Sequence, residues 1–138
     1  MEEFEKKNLF ITFSGVINAI IEDKRKNPKN IKVLNSFEGN VNLGLQIEEE
    51  YYFWLNLTAK DGDYKLNRGR LENFDLELMA DPEDLMYFSN GTYSTVHMVT
   101  KKNRFGKRKL KVKKGGRNLR KLLKISKILV LDKIPVEK

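Results

Sequence analysis

The residue types that carry catalysis or bind metals are scarce in this sequence. His97 is the only histidine among 138 residues, and the chain contains no cysteine. One imidazole without thiolates does not supply the ligands of a zinc site, and no cysteine nucleophile is available. The sequence therefore predicts no metal site, no cofactor and no catalytic residue, and we expect a protein that is not an enzyme.

A cluster of carboxylates near the middle of the chain has a structural explanation. Asp81 precedes Pro82, and Glu83 and Asp84 follow directly. Aspartate suits the N-cap of a helix, proline suits its first position, and acidic residues in the first turn complement the positive end of the helix dipole. We interpret these residues as a helix start rather than as an acid–base pair.

The net charge of +8 is distributed unevenly along the chain. Residues 1–84 contain 11 Lys and Arg against 17 Asp and Glu, whereas residues 85–131 contain 14 Lys and Arg and no acidic residue. This asymmetry points to a polyanionic partner for the second half, either an anionic membrane surface or a nucleic acid. A Lys-rich face that contacts only water is an equally good interpretation.

Hydrophobic periodicity predicts helices at both ends of the chain. Apolar residues recur at helical spacing over residues 4–24, and a short second helix is expected between Ile31 and Phe37, after a polar loop that contains Pro28. The same pattern and the end signals of helices predict three more helices, over residues 82–90, 95–102 and 118–129.

Alternating apolar and polar residues predict strands in the middle of the chain, over residues 41–47, 51–58, 64–66, 71–80 and 107–113. Asp61-Gly62 indicates a hairpin turn, because both residues accept positive φ. In the fourth strand Leu76 and Leu78 are expected inward, and Asp75 and Glu77 outward. Strands grouped between helices predict one α+β domain over residues 1–138, with helices on one side of a mainly antiparallel sheet.

Three segments in this order resemble the sterol carrier protein-2 family. Trp54 to Thr58 is similar to the tryptophan-led strand of that family, and Phe74 to Leu85 with Asn90-Gly91 is similar to its signature strand and helix. Lys109 to Lys113 and Leu119 to Leu123 resemble its last strand and C-terminal helix. The resemblance covers about residues 40–130. Lys114, where the family commonly has a small residue, departs from the pattern.

The resemblance implies about five strands with helices over one face and an apolar tunnel between them. It also implies non-enzymatic binding or transfer of a lipid-like molecule such as an acyl chain, a sterol or an isoprenoid. We expect the tunnel to be lined by large apolar residues from facing strands and helices, namely Leu55, Leu57, Leu76, Leu78, Leu85, Phe88, Met98, Leu119, Leu122 and Leu123. The competing interpretation of each is ordinary core packing.

The basic second half has a consistent role in a lipid carrier. The helix predicted over residues 118–129 pairs a cationic face with an apolar stripe, as helices that bind membrane surfaces do. Each Lys or Arg close to an anionic bilayer contributes about 1 kcal/mol. We therefore predict docking on anionic lipid through six residues: Lys107, Arg108, Lys109, Arg120, Lys121 and Lys124.

Two other functions are compatible with the composition. Nucleic-acid binding would use the same cations, but only Phe105 provides an aromatic ring within residues 101–127, fewer than a base-stacking platform requires. A carrier subunit that presents its ligand to a partner enzyme would use Tyr51, Tyr52 and Trp54 as contacts.

The N-terminal residues carry no sign of secretion. The segment Met1 to Glu5 is acidic, whereas a signal peptide is basic and then apolar. No apolar run approaches the ~18 residues that a membrane span requires. We expect a cytoplasmic protein.

Overall fold

Helices and strands occur in blocks along the chain. The computed structural model describes residues 2–114 and 119–132. The elements are α1 (Glu3–Arg25), α2 (Pro28–Ser36), β1 (Gly39–Glu48), β2 (Tyr51–Lys60), β3 (Asp63–Arg68), β4 (Leu76–Ala80), α3 (Pro82–Ser89), α4 (Thr95–Thr100), β5 (Leu110–Lys114) and α5 (Leu119–Leu129). Within the described residues, no helix has both the length and the apolar character needed to cross a bilayer.

The five strands form one sheet in the order β3-β2-β1-β4-β5. β1 is antiparallel to β2 and parallel to β4, and the two remaining neighbour pairs are antiparallel. Asp61 and Gly62 connect β2 to β3 with positive φ angles of 53° and 81°, as the hairpin prediction requires. The predicted α+β class and mainly antiparallel sheet are confirmed.

One face of the sheet is apolar and forms the floor of the hydrophobic core. Val41, Leu43 and Leu45 alternate along β1 and are each at most 4 % exposed. Leu43 lies in register between Leu55 of β2 and Leu78 of β4. The helices contribute further buried residues to the same cluster: Ile21 from α1, Leu34 from α2, Phe88 from α3 and Ile125 from α5.

The opposite face of the sheet is polar, but part of it is buried. Glu77 points away from the core, as predicted, yet it does not reach solvent, since its exposure is 0 %. The segment after β3 brings Arg70 over this face, where the guanidinium donates to the Glu77 carboxylate at 2.8 and 2.5 Å. Asn42 Nδ2 donates a third hydrogen bond at 3.1 Å. These bonds compensate the burial of the charge.

Among the boundaries that differ from the predicted ones, two differ because polar side chains capture backbone groups. Pro28, predicted to lie in a loop, is the first residue of α2, since Asn27 Oδ1 accepts from the Lys29 amide at 3.1 Å and caps the helix. β4 begins at Leu76 instead of residue 71, because the Leu71 amide donates to the Asn42 side chain at 2.8 Å instead of to a strand.

Candidate functional site

A cavity of about 660 Å³ lies between the apolar face of the sheet and helices α1, α3 and α5. Its sheet side is formed by apolar residues of the central strands, Leu43, Leu45, Leu78 and Ala80. Its helix side is also apolar, with Phe13, Ile17 and Ile20 on α1, Leu85 and Phe88 on α3, and Ile125 and Leu129 on α5. Ordinary cores contain few voids larger than a water molecule, so this volume is available to a ligand.

Small residues stand at several positions of the cavity wall. Ala19, Ala80 and Ser126 border the space, and each leaves volume that a leucine would occupy. The Ser126 hydroxyl donates to the Leu122 carbonyl of its own helix at 2.8 Å. Its one proton is therefore engaged, and the interior offers a ligand mainly apolar contact.

The mouth of the cavity lies between α1 and α3. Its exposed residues form one stripe on each helix, Thr12, Val16 and Ala19 on α1, and Glu83, Met86 and Asn90 at α3. Val16 is 51 % exposed and Met86 is 58 % exposed. Exposed apolar side chains around an apolar opening are typical of an entrance for a hydrophobic ligand.

The segment after α5, residues 130–132, borders the mouth, and we call it the strap. Leu131 lines the cavity, and its amide donates to the Ser89 carbonyl at the end of α3 at 2.8 Å. The Asp132 carboxylate accepts from Lys24 Nζ of α1 and from Asn30 Nδ2 of α2, both at 2.7 Å. The hydrogen bond from Lys24 is the main cause that holds the pKa of Asp132 below its usual value.

Solved structures with the same arrangement identify the architecture. The chain is similar to the sterol carrier protein domain 2 of Helicoverpa armigera, with a TM-score of 0.59 and 15% identity over 86% of this chain and 89% of that one. The chain has the sterol carrier protein 2 fold. It is also similar to sterol carrier protein 2 from Yarrowia lipolytica in its apo form, with a TM-score of 0.55 and 19% identity over 80% and 84% of the two chains.

A third solved structure with the sterol carrier protein 2 fold is described as the UbiJ-SCP2 ubiquinone synthesis protein. Its TM-score is 0.62 at 11% identity, over 86% of this chain and 93% of that one. No protein-family model matches the sequence, and no curated protein matches it significantly. The likeness therefore lies in the fold.

Within the sterol carrier protein 2 fold, only some of the predicted ligand-binding residues lie at the cavity. Leu78, Leu85 and Phe88 line it. The structure places four others in the hydrophobic core, since Leu55, Leu57, Leu76 and Met98 are fully buried and do not belong to the cavity wall. The cavity follows β1 and the end of β4, whereas these residues lie on β2, at the start of β4 and on α4.

On α5 the predicted residues lie beside the cavity rather than in its wall. Leu122 packs against the core, half-buried, and Leu123 is 55 % exposed. Ile125 and Leu129 line the cavity instead. The side chain of Leu119 lies outside the part of the chain that the structure describes. The apolar stripe of α5 is broad, and its spacing alone does not tell which edge faces the sheet.

Sequence reasoning missed the contribution of α1 and β1 to this cavity. Phe13, Val16 and Ile17 of α1 and Leu43 and Leu45 of β1 all line it. A signal was present, because α1 carries an apolar stripe that includes Val16, which stays half exposed. When the apolar stripe of a helix is wider than the surface that the helix buries in the core, the helix can also border a ligand cavity.

The six predicted membrane-binding cations do not form one surface. Lys107 Nζ lies 3.5 Å from the Glu49 carbonyl, just beyond the end of β1. Lys121 Nζ lies 3.3 Å from the Asp75 carboxylate. This carboxylate accepts a hydrogen bond from the Asn40 amide at the start of β1. Asn40 and Glu49 are nine residues apart, so the two groups of cations are separated by about 30 Å along the strand.

Lys109 is withdrawn from the surface. Its Nζ donates to the Asp84 carboxylate at 2.9 Å, and the two side chains are only 15% and 10% exposed. The hydrogen bond that Lys109 donates to Asp84 is the main cause that raises the pKa of Lys109. Arg108 is exposed beside it and donates to the Thr100 carbonyl. On α5, Arg120 is exposed and Lys124 is half-buried, near the Ser36 carbonyl.

The aromatic residues considered for a partner enzyme are only partly accessible. The Trp54 ring lies over Gly44 on the polar face of the sheet, and the Arg70 guanidinium covers it at 4.4 Å from the ring centre. Tyr52 stacks beside Trp54 at 6.1 Å, and Tyr51 packs against the core. All three are half-buried.

Proposed function

We propose that this chain is a non-enzymatic carrier that holds the hydrophobic part of a lipid-like molecule in the cavity between the sheet and α1, α3 and α5. The observation that carries the proposal is an open space of about 660 Å³ with an apolar wall. Ligand pockets of small molecules typically measure about 300–1,000 Å³, so the volume is appropriate.

Burial of apolar surface supplies the affinity in this proposal. Removing on the order of 300 Å² of ligand surface from water contributes roughly 7 kcal/mol before the cost of association. Acyl chains, sterols and isoprenoid chains all carry apolar surface on this scale. Isoprenoid chains are included because one structural neighbour is described as a ubiquinone synthesis protein.

A bulky residue at the mouth tests the proposal with little disturbance of the core. Ala19 is exposed on α1 and borders the cavity, so Ala19→Trp places a large ring across the entrance. We expect the variant to fold and to lose binding of a fluorescent long-chain alcohol by at least about tenfold. The measurement is a fluorescence titration, accompanied by native mass spectrometry for lipid that co-purifies with the unmodified protein.

Asn18→Trp is the matched control for this experiment. Asn18 is exposed on the same helix, and the helical rotation of 100° per residue directs it away from the mouth. The control is expected to bind the alcohol like the unmodified protein. Equal affinity in all three proteins would contradict the proposed site, and absence of binding in the unmodified protein would contradict the proposed function.

Membrane contact through α5 is a further part of the proposal. The outer side of α5 carries Arg120, Lys124 and Lys127 around the exposed Leu123, at the spacing of one helical face. Cations that surround an exposed leucine suit the interface of an anionic bilayer. Co-sedimentation with anionic vesicles tests this part.

A further inference from the structure

Among the described residues, the wall of the cavity contains a single ionisable side chain, the carboxylate of Glu83. Glu83 is exposed at the mouth, in the first turn of α3 and on the same stripe as Met86 and Asn90. The remaining polar wall residues, Thr12, Ser89, Ser126 and Asn90, are uncharged. Because the interior is apolar, the headgroup of a bound lipid has to stay at this mouth.

Two cations that contact the start of α3 are already paired with other carboxylates. Arg104 Nε donates to Asp81 at 2.7 Å, and Lys109 Nζ donates to Asp84 at 2.9 Å. These two pairs neutralise the acidic residues that flank Glu83. No ion pair of Glu83 is present among those in the described residues.

Among the described residues, the strap, α5 and α1 add no free cation to the mouth. On the side of the strap, Lys24 is paired with Asp132 at 2.7 Å. On α5, Lys127 lies about 150° around the helix from the centre of the cavity-lining stripe. The exposed stripe of α1 continues four residues beyond Ala19 to Asp23, which is another acidic residue. The described residues of the mouth therefore present net negative charge, although the whole chain carries +8.

We propose that the cavity selects lipids with a neutral or cationic headgroup over lipids of the same chain with an anionic headgroup, and that Glu83 determines this preference. The proposal rests on the proposed carrier function and names its ligand class. The basic composition of the chain suggests the opposite preference, so the two expectations are readily separated.

Three ligands with one hydrocarbon chain test the preference: oleyl alcohol, oleate and oleylamine. Each competes with a fluorescent long-chain alcohol below its micellar concentration, at neutral pH and low salt. We expect oleate to bind about tenfold more weakly than oleyl alcohol, because a carboxylate at the mouth meets Glu83 in a medium of intermediate dielectric constant. Oleylamine is expected to bind at least as tightly as the alcohol.

Glu83 variants assign the effect to this residue. Glu83→Gln is expected to reduce the ratio of alcohol to oleate affinity to about threefold or less, and Glu83→Lys to invert it. Asn90→Asp, which adds a carboxylate at the mouth, is expected to widen the ratio. Glu72→Gln is the control, because Glu72 is exposed in the segment before β4, outside the cavity wall, and its loss changes the net charge equally.

The outcomes separate this preference from the carrier function. Equal affinity for the three ligands, or a ratio that Glu83→Gln and Glu72→Gln change alike, would overturn the preference while the carrier function stands. Absence of binding for all three ligands would overturn the carrier function itself. Circular dichroism of Glu83→Lys and Asn90→Asp shows whether both variants are folded, so that a changed ratio reports on the mouth.

Discussion

At the scale of single residues, Gly44 illustrates how tightly the polar face of the sheet is packed. A Cβ atom at this position would lie 2.7 Å from Cη2 of Trp54 and 3.1 Å from Cγ of Met79. Trp54 is held from the other side by Arg70, whose guanidinium is in turn fixed by Glu77. The glycine is therefore required by close approach of a ring rather than by a turn.

Gly44→Ala is expected to lower the free energy of unfolding by about 1–3 kcal/mol, because the ring must move and the pairing beneath it is disturbed. Urea denaturation followed by circular dichroism measures the change. In a Trp54→Leu background the same substitution should cost less, since the obstructing ring is absent.

Gly15→Ala is the control for this substitution. No heavy atom lies within 4 Å of a Cβ built on Gly15, which stands inside α1. Replacing a helical glycine by alanine where space is available stabilises by about 0.5–1 kcal/mol. The two substitutions are thus expected to act with opposite signs, and a loss of stability at both positions would argue against the packing explanation.

At the scale of elements, the strap joins three helices through one carboxylate and one backbone hydrogen bond. Lys24 is 6 % exposed and has Asp132 as its partner at 2.7 Å. Asp132→Asn removes the opposite charge from this nearly buried ammonium, so we expect a loss of about 1–3 kcal/mol at neutral pH.

The pH dependence of this loss has a definite sign. The folded pKa of Asp132 lies below its ordinary value of 3.8, so the unfolded chain takes up the proton first as the pH falls. The stabilising contribution is complete above about pH 5 and decreases as the pH falls through the lowered folded pKa. Urea denaturation at several pH values measures the free energy of unfolding of both proteins. In acid, the value for the unmodified protein is expected to approach that of Asp132→Asn. If the difference between the two free energies stays constant down to acid pH, Asp132 does not have this role.

Glu22→Gln provides the comparison with an ordinary surface pair. Glu22 is 69% exposed in its pair with Arg25, and such pairs contribute little. We expect the free energy of unfolding of the Glu22→Gln variant to equal that of the unmodified protein within error at all pH values.

The elements differ in how far their sequences determined them. The alternation in β1 and β2, the Asp61-Gly62 turn and the Asp81 cap of α3 are local signals, and each predicted its element correctly. The buried position of Glu77 was not predictable, because it depends on Arg70, which reaches it only after the chain has passed through β3 and returned. The strap was not predictable either, since Asp132 and Lys24 are 108 residues apart.

The sequence also does not determine which residues of the apolar face line the cavity. Residues on one strand face are known from the period of two, so Leu78 and Leu76 were both assigned to the apolar face. Leu78 lines the cavity whereas Leu76, two residues earlier, is fully buried in the core. The difference depends on where α1, α3 and α5 cross the sheet. That placement follows from tertiary packing, which short-range patterns do not encode.

At the scale of the whole molecule, charge is separated in space as well as in sequence. The described residues around the mouth carry net negative charge, the outer side of α5 is cationic, and a second cationic group lies beyond the opposite end of β1. For the proposed carrier we expect an approach to anionic bilayers with α5 toward the lipid, because the cations of α5 surround an exposed leucine and electrostatic attraction acts over about one Debye length.

Two double variants test whether position or net charge governs this approach. Arg120→Glu with Lys124→Glu reverses charge on α5, and Lys107→Glu with Arg108→Glu reverses it beyond the far end of β1. Each pair lowers the net charge of +8 by the same four units.

We expect the α5 pair to weaken co-sedimentation with phosphatidylserine-rich vesicles by about 30-fold or more, since two contributions of ~1 kcal/mol are lost. The other pair is expected to retain most of the binding, and neutral vesicles and high salt are expected to abolish it in every protein. Equal losses in the two variants would show that only net charge matters, and α5 would then have no special part in docking.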